Sequence, residues 1–303
     1  MLAGCVSLRG CLKRTTTMPS ILVTGAGGQL GQSLQRVVAA RGDRDWHFLP
    51  HEALEICRPD MCLQVVRSIH PSVIINCAAY TAVDRAETEQ DITFAVNAQA
   101  VENIVRAAEA VDAVLIHIST DYVFGGEGNV PHLEGEIPIP QCVYAATKRE
   151  GELRALSYER TMVIRTGWLY SQFGHNFYLT VAKHCAASDA MRIVFDQVGT
   201  PTWAGNLAVA LRSVALSGLY DPGVYHYTDL GVASWYDFTV AIQHLLGSHN
   251  LIVPIRSHEY PQAAQRPAYS VLDSAFTRGH LGLEAVHWTE GLEQCFRMGV
   301  GAN

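Results

Sequence analysis

Residues 21–37 read ILVTGAGGQLGQSLQRV. A run of apolar and β-branched residues enters Gly25, and Gly28 and Gly31 follow at three-residue spacing. Beyond Gly31 the pattern turns helical, with Leu34, Val37 and Val38 on one side. A strand, a glycine turn and a helix in that order form a site where bare backbone comes close to an anion. The turn takes glycine because side chains would block it, and the free N–H groups at the helix start face the negative charge. The spacing is G-x-x-G-x-x-G, not the commoner G-x-G-x-x-G, so on its own it also fits a purely structural turn.

The segments beyond the turn decide between the two. WHFLP (46–50) reads as a second strand and 60–69 as a helix. PSVIINCAAY (71–80) is an apolar strand, 90–111 a long helix and AVLIHIS (113–119) another strand. Residues 144–156 are helical and TMVIRTG (161–167) is a strand. This alternation predicts an α/β fold of the Rossmann type, a doubly wound parallel sheet covered on both faces. After 167 prolines break the pattern. Strands are expected at 191–195 and 223–227, and helices at 205–217 and 234–247. The expected division is a dinucleotide-binding domain over 18–167, with segments around 191–230 packing back on it, and a smaller mixed substrate-binding region over 168–303.

Composition narrows the function. A net charge of -7 leaves no broad basic surface for nucleic acid. No apolar run approaches the ~18 residues that a membrane helix needs. None of the eight cysteines forms a C-x-x-C pair, and the 13 histidines show no ligand spacing. No metal site is therefore expected, and the thiols read as reduced, in a cytoplasmic protein. Residues 1–17 hold three basic residues and no acid. They are expected to be a non-structural leader before a natural start at Met18, with a transit peptide as the alternative.

Two further patterns carry chemistry. Ser119-Thr120-Asp121 closes an apolar strand, and carboxyl ends of parallel strands are where such sheets bind ligands. Tyr144 and Lys148 stand four apart on a predicted helix and so share a face. A cation beside the phenol is expected to lower its pKa, fitting it for proton transfer. Each pattern is weak alone: hydroxyls also cap turns, and Y-x-x-x-K arises by chance. Their order after the glycine turn makes them strong together.

That combination resembles the extended short-chain dehydrogenase/reductase superfamily. The stretches NCAAYTAVDRAE (76–87), VNAQAVENIVRAA (96–108), HISTDYVFGG (117–126), VYAATKREGE (143–152), RTGWLY (165–170), DQVGTPT (196–202) and AQRPAYSVLD (264–273) narrow the resemblance to the dTDP-4-dehydrorhamnose reductase family. The resemblance implies NAD(P)H-dependent reduction of the C4 ketone of dTDP-4-dehydro-L-rhamnose to dTDP-L-rhamnose. It makes Tyr144 the proton donor, Lys148 the residue that binds the nicotinamide ribose, and Thr120 the hydroxyl that polarises the ketone. Gly25, Gly28, Gln29, Leu30 and Gly31 fall at the pyrophosphate, and Ala78, Ala79 and Tyr80 along the cofactor. Glu55 and Ile56, by their place after the second strand, fall either near the adenine or in a solvated loop. Asp121, Trp168, Asn176 and Arg266 fall to the dTDP-sugar.

The chain departs from the pattern in two places. Ser33 stands where some members carry a metal-linking Glu, so no Mg²⁺ is expected there, and a homodimer would not depend on such a bridge. The second strand ends in Pro50-His51-Glu52 rather than Asp, which leaves both NADPH and NADH open, with NADPH slightly favoured. Two alternatives stay open: another nucleotide-sugar ketoreductase or epimerase, and a non-catalytic regulatory subunit of the methionine adenosyltransferase type. Thr120 is followed by Asp121-Tyr122, not Asp-Glu, which argues against a dehydratase. Retention of Tyr144, Lys148, Thr120 and Trp168 argues against a non-catalytic role.

Overall fold

A computed structural model describes residues 19–126, 128–187 and 189–300; the leader expected at 1–17 lies outside the described residues. The chain runs β1 (Ile21–Thr24), α1 (Gln29–Arg41), β2 (Trp46–Leu49), α2 (Pro59–Ile69) and β3 (Val73–Asn76). A short α3 (Val83–Ala86) and α4 (Gln90–Phe94) lead through a π turn (Ala95–Gln99) into α5 (Ala100–Glu109). Then come β4 (Val114–Thr120), α6 (Val143–Leu156) and β5 (Thr161–Thr166). The third strand is shorter than its apolar run, 71–80, suggests. It stops at Asn76 because the next residues leave the sheet to pass the glycine turn.

The remaining elements are β6 (Leu169–Tyr170), α7 (Phe177–Ala186), β7 (Met191–Val194), β8 (Val198–Gly199), β9 (Thr202–Trp203) and α8 (Ala204–Ser217). They are followed by β10 (Gly223–His226), β11 (Ala233–Ser234), α9 (Trp235–Leu245), β12 (Ile252–Ile255), α10 (Ala275–Leu281) and α11 (Trp288–Val300).

Six parallel strands form the central sheet in the order β10-β5-β4-β3-β1-β2. Strand side chains alternate between two cores. Ile21, Val23, Ile75 and Ile116 pack with Leu34 of α1 and Leu211 of α8, whereas Leu22, Ile74 and Leu115 pack with Val66 of α2 and Ile104 of α5. Both faces are covered, which is why the strands read as continuous apolar runs. Each such side chain contributes about 1.5–3 kcal/mol on burial. Of the segments expected to return to the sheet, α8 and β10 do so, while β7 pairs with β12 instead. A third, aromatic-rich core, including Tyr170, Phe238 and Trp288, holds α7, α9 and α11 together.

The long helix expected over 90–111 is interrupted by the π turn, and the reason is local. A Cβ on Gly151 of α6 would lie 2.1 Å from the carbonyl oxygen of Asn97. The widened turn brings that carbonyl hard against α6, and only glycine leaves room for it. The side chain of Asn97 meanwhile accepts from the Tyr80 amide (2.8 Å) and donates to the Tyr80 carbonyl (3.0 Å). The π turn thus ties α6 to the segment after β3. The sheet order reverses between β1 and β3, and a cleft opens there at the carboxyl ends of the strands.

Candidate active site

A cavity of about 760 Å³ occupies that cleft. Its walls come from the glycine turn, the ends of β3, β4 and β5, the first turns of α6, and the region after residue 168. Its size suits a small organic ligand. Of the residues singled out in the sequence, Gly25, Gly28, Gln29, Leu30, Gly31 and Ala79 line it, and so do Thr120, Asp121, Tyr144, Lys148, Trp168, Asn176 and Arg266.

The glycine turn fits a pyrophosphate. Gly25 has φ +64°, and a Cβ there would lie 2.6 Å from the amide nitrogen of Ala78. The backbone is thereby pressed between β1 and the segment after β3 in a conformation that side chains resist. Gly28 caps α1 without any side-chain bond, so the helix start offers its N–H groups outward. Gln29 faces the other way as well: its amide oxygen accepts from Asn176 Nδ2 (2.9 Å) and from Ser171 Oγ (3.2 Å).

The catalytic candidates sit on two elements. Thr120 ends β4 and Asp121 follows it; the strand register places Thr120 beside Thr166 of β5. Helix α6 starts at Val143, whose amide donates to Glu87 Oε1 (2.9 Å), and so holds Tyr144 over the strand end. The Thr120 hydroxyl donates to Asp121 Oδ1 (3.0 Å) and accepts from the Tyr122 amide (3.2 Å). The ring of Tyr122 meets that of Tyr144 edge-on, with centroids 6.1 Å apart.

Lys148 is 3% exposed and donates one hydrogen bond, to the Ile118 carbonyl at 2.7 Å. Its other two donors have no partner among the described residues, which suits a ligand with adjacent hydroxyls such as a ribose. Burial pulls its pKa down to about 8, against the opposing pull of Glu152. Tyr144 corrects the sequence expectation. Its pKa is raised, because burial outweighs the Thr120 hydroxyl that works against it, and Lys148 is not among the causes. The phenol is a held proton rather than a ready phenolate. Asp121 is buried and pushed up to about 6 by desolvation, with the hydroxyls of Ser270 and Thr120 opposing.

Other expected residues are placed differently. Neither Glu55 nor Ile56 lines the cavity; Ile56 packs in the core, and its carbonyl accepts from Asn103 Nδ2 (3.0 Å). The Tyr80 hydroxyl donates to Glu89, so its side chain is engaged outside the cavity, and Ala78 meets Gly25 through its backbone. Asn176 caps α7, accepting from the Leu179 amide (3.0 Å), and its Nδ2 also donates to the Ser171 carbonyl (2.8 Å). Ser33 is buried and its hydroxyl donates to the Gln29 carbonyl (2.8 Å). Among the described residues, no cluster of metal-ligating side chains occurs and no helix is long and apolar enough to cross a membrane.

Two wall residues were not singled out in the sequence. Trp235, at the start of α9, stacks on Trp168 with centroids 3.5 Å apart and planes 3° apart, while Trp168 itself has φ +48°. Asp84, in α3, pairs with Arg266. Asp84 lies within the stretch NCAAYTAVDRAE, so a carboxylate in that family segment was the available signal. Nothing local in the sequence points to Trp235.

Comparison with known proteins shows which family the chain belongs to. Residues 18–299 match the family model described as the RmlD substrate binding domain. A dTDP-4-dehydrorhamnose reductase of Aggregatibacter actinomycetemcomitans is 36% identical, over 91% of this chain and 98% of its own. A protein of the same name from Streptomyces griseus is 38% identical, over 92% and 93%. The crystal structure of dTDP-4-dehydrorhamnose reductase from Bacillus anthracis in complex with NADP superposes with a TM-score of 0.89 at 34% identity, covering 93% of this chain and all of that one.

Proposed function

The chain belongs to the RmlD substrate-binding-domain family, and from that premise we propose that it reduces the C4 ketone of dTDP-4-dehydro-L-rhamnose, yielding dTDP-L-rhamnose. The observation that carries this is the convergence of Tyr144, Thr120 and Lys148 in one cavity with the glycine turn.

A bound reduced nicotinamide supplies the hydride. Gly25, Gly28 and the start of α1 hold the pyrophosphate, and the two spare donors of Lys148 hold the ribose. When the C4 carbon accepts the hydride, charge develops on the ketone oxygen and needs a proton. Tyr144 carries that proton, because its raised pKa keeps the phenol neutral at neutral pH. Thr120 stabilises the developing charge by turning its hydroxyl from Asp121 to the ketone oxygen. Lys148, an ammonium below pH about 8, lies on the same helix face, and the tyrosinate left by the transfer regains its proton from solvent once product leaves. Asp121 is ionised above pH about 6. Its carboxylate lines the cavity and holds the Thr120 hydroxyl until the ketone arrives. Trp168, backed by Trp235, forms the sugar wall.

NADPH is the preferred donor in this reading. The relative from Bacillus anthracis holds NADP, and β2 here is followed by Pro50-His51-Glu52 rather than Asp, with His51 placed to tolerate a 2′-phosphate. The dinucleotide is held mainly by 18–167 with α8 and β10, and the sugar by the rest of 168–303. The six described cysteines are free, which fits a cytoplasmic protein.

The test is a paired assay of the full chain with dTDP-4-dehydro-L-rhamnose generated in situ and NADPH or NADH. Loss of reduced-nicotinamide absorbance, faster with NADPH, is the expected result. Binding of both cofactors without any oxidation would overturn the reading.

A further inference from the structure

Arg266 and Asp84 are 182 residues apart in sequence and meet at the wall of the cavity. The contact is end-on: Nη1 donates to Asp84 Oδ1 (3.0 Å) and Nη2 to Oδ2 (2.6 Å). Nη1 also donates to Gln262 Oε1, and the Ala264 carbonyl lies 3.4 Å from it. A guanidinium has five N–H groups. Three of them are engaged in these contacts. The Nε–H and the second Nη2–H have no partner among the described residues, and they lie side by side on one edge of the plane. Two parallel donors on one edge are the geometry that takes an oxyanion in a bidentate manner.

Asp84 does more than pair. Its Oδ1 also accepts from the Ala264 amide (3.2 Å), so the loop carrying Arg266 is fixed to the same carboxylate. Glu87, three residues on, caps the helix that carries Tyr144. The segment after β3 therefore holds the arginine loop with one carboxylate and the catalytic helix with another. The Arg266 side chain is only 18% exposed and its partner 47%, so the pair sits at the rim with its cation turned inward.

We infer that Asp84 is a positioning residue: by gripping one edge of Arg266 it presents the other edge to the phosphates of the nucleotide-sugar substrate. This rests on the proposed reductase function only in taking the ligand to be a nucleoside diphosphate. The opposite role is physically conceivable, because a carboxylate near a dianion also repels it. The two roles differ in sign. Positioning predicts that loss of the carboxylate weakens binding, while competition predicts that it tightens binding.

The experiment is calorimetric binding of dTDP, UDP, GDP and inorganic pyrophosphate to the full chain with NADPH present, for wild type, D84N, R266A, R266K and D84N/R266A. Asp84→Asn is expected to weaken whichever nucleoside diphosphate the wild type binds by about tenfold, and Arg266→Ala by more. NADPH affinity should stay within about twofold of wild type in D84N, because Asp84 lies on the sugar side. In the R266A background D84N should add little, since the two act as a unit. R266K keeps the charge but loses the fork, and should bind nearly as poorly as R266A.

Unchanged or tighter binding in D84N overturns the proposal. So does additivity in the double variant, an equal loss of NADPH affinity, or a wild type that binds no nucleoside diphosphate. Failure of the reductase reading would look different: nucleoside diphosphates would bind with these differences while dTDP-4-dehydro-L-rhamnose was not reduced.

Discussion

Lys148 and Glu152 lie one turn apart on α6, and both are almost completely buried, yet they are treated in opposite ways. Glu152 is well partnered. It accepts from Arg165 Nε (2.8 Å) and Nη2 (2.9 Å) and from Arg149 Nη1 (2.7 Å). These partners overcome its burial and hold its pKa below the ordinary carboxylate value. Lys148 has a single carbonyl, and its pKa falls instead. A buried charge held by several fixed cationic donors is part of the scaffold. One with donors to spare is available to a ligand. The same helix therefore carries an anchor and a lysine with donors free for a ligand, and the number of partners distinguishes them.

The largest expected effect is on the reactive side. Tyr144→Phe removes the proton but almost no volume. It should lower kcat by about 10²–10⁴-fold, with NADPH affinity and Tm near wild type. Steady-state kinetics and calorimetry would check this, and a rate near wild type would take Tyr144 out of the proton-donor role.

The anchor side should respond in stability instead. Arg165→Met leaves Glu152 buried with Arg149 as its remaining hydrogen-bonded cation and should cost about 3–5 kcal/mol in denaturant unfolding. If the pair only anchors, the molecules still folded should keep their KM for NADPH. A loss of a few tenths of a kcal/mol would mean that water can reach Glu152.

The smallest effect is the most diagnostic. Lys148→Met should raise the Tm of the ligand-free protein at pH 7, because the ammonium is desolvated without enough partners to offset the cost. The sign with pH comes from linkage. The folded pKa of about 8 lies below the ordinary lysine value, so between the two the unfolded chain binds more protons and wild-type stability rises with pH. The advantage of the Met variant should be full below pH 8 and shrink as pH rises toward 10. A pH-independent difference in melting temperature would show that Lys148 is better satisfied than its single hydrogen bond suggests.

Much of the site was legible because it depends on local spacing. The glycine turn, Thr120 at a strand end, and Tyr144 with Lys148 on one helix face are all set by residues close in the chain. The paired groups were not legible. Trp235 reaches Trp168, and Asp84 reaches Arg266, only after distant segments pack, and no periodicity encodes either meeting. The sign of the Tyr144 shift was also out of reach. Proximity to a lysine suggested a lowered pKa, but the degree of burial, a tertiary quantity, decided it the other way. The π turn belongs with these, since the helical pattern over 90–111 is unbroken in sequence and the interruption answers to contact with Gly151.

By itself the sequence determined the α/β architecture, the place of the glycine turn and the pairing of Tyr144 with Lys148 on one helix face. Each depends on which residue types recur at fixed short intervals, and backbone geometry converts those intervals directly into strands, helices and shared faces. Only the tertiary structure decided which buried charge is an anchor and which is free to react, how firmly the Tyr144 proton is held, and which edge of Arg266 is left open. Those properties depend on desolvation and on how many partners arrive from elsewhere in the chain, and neither quantity exists until the fold is complete.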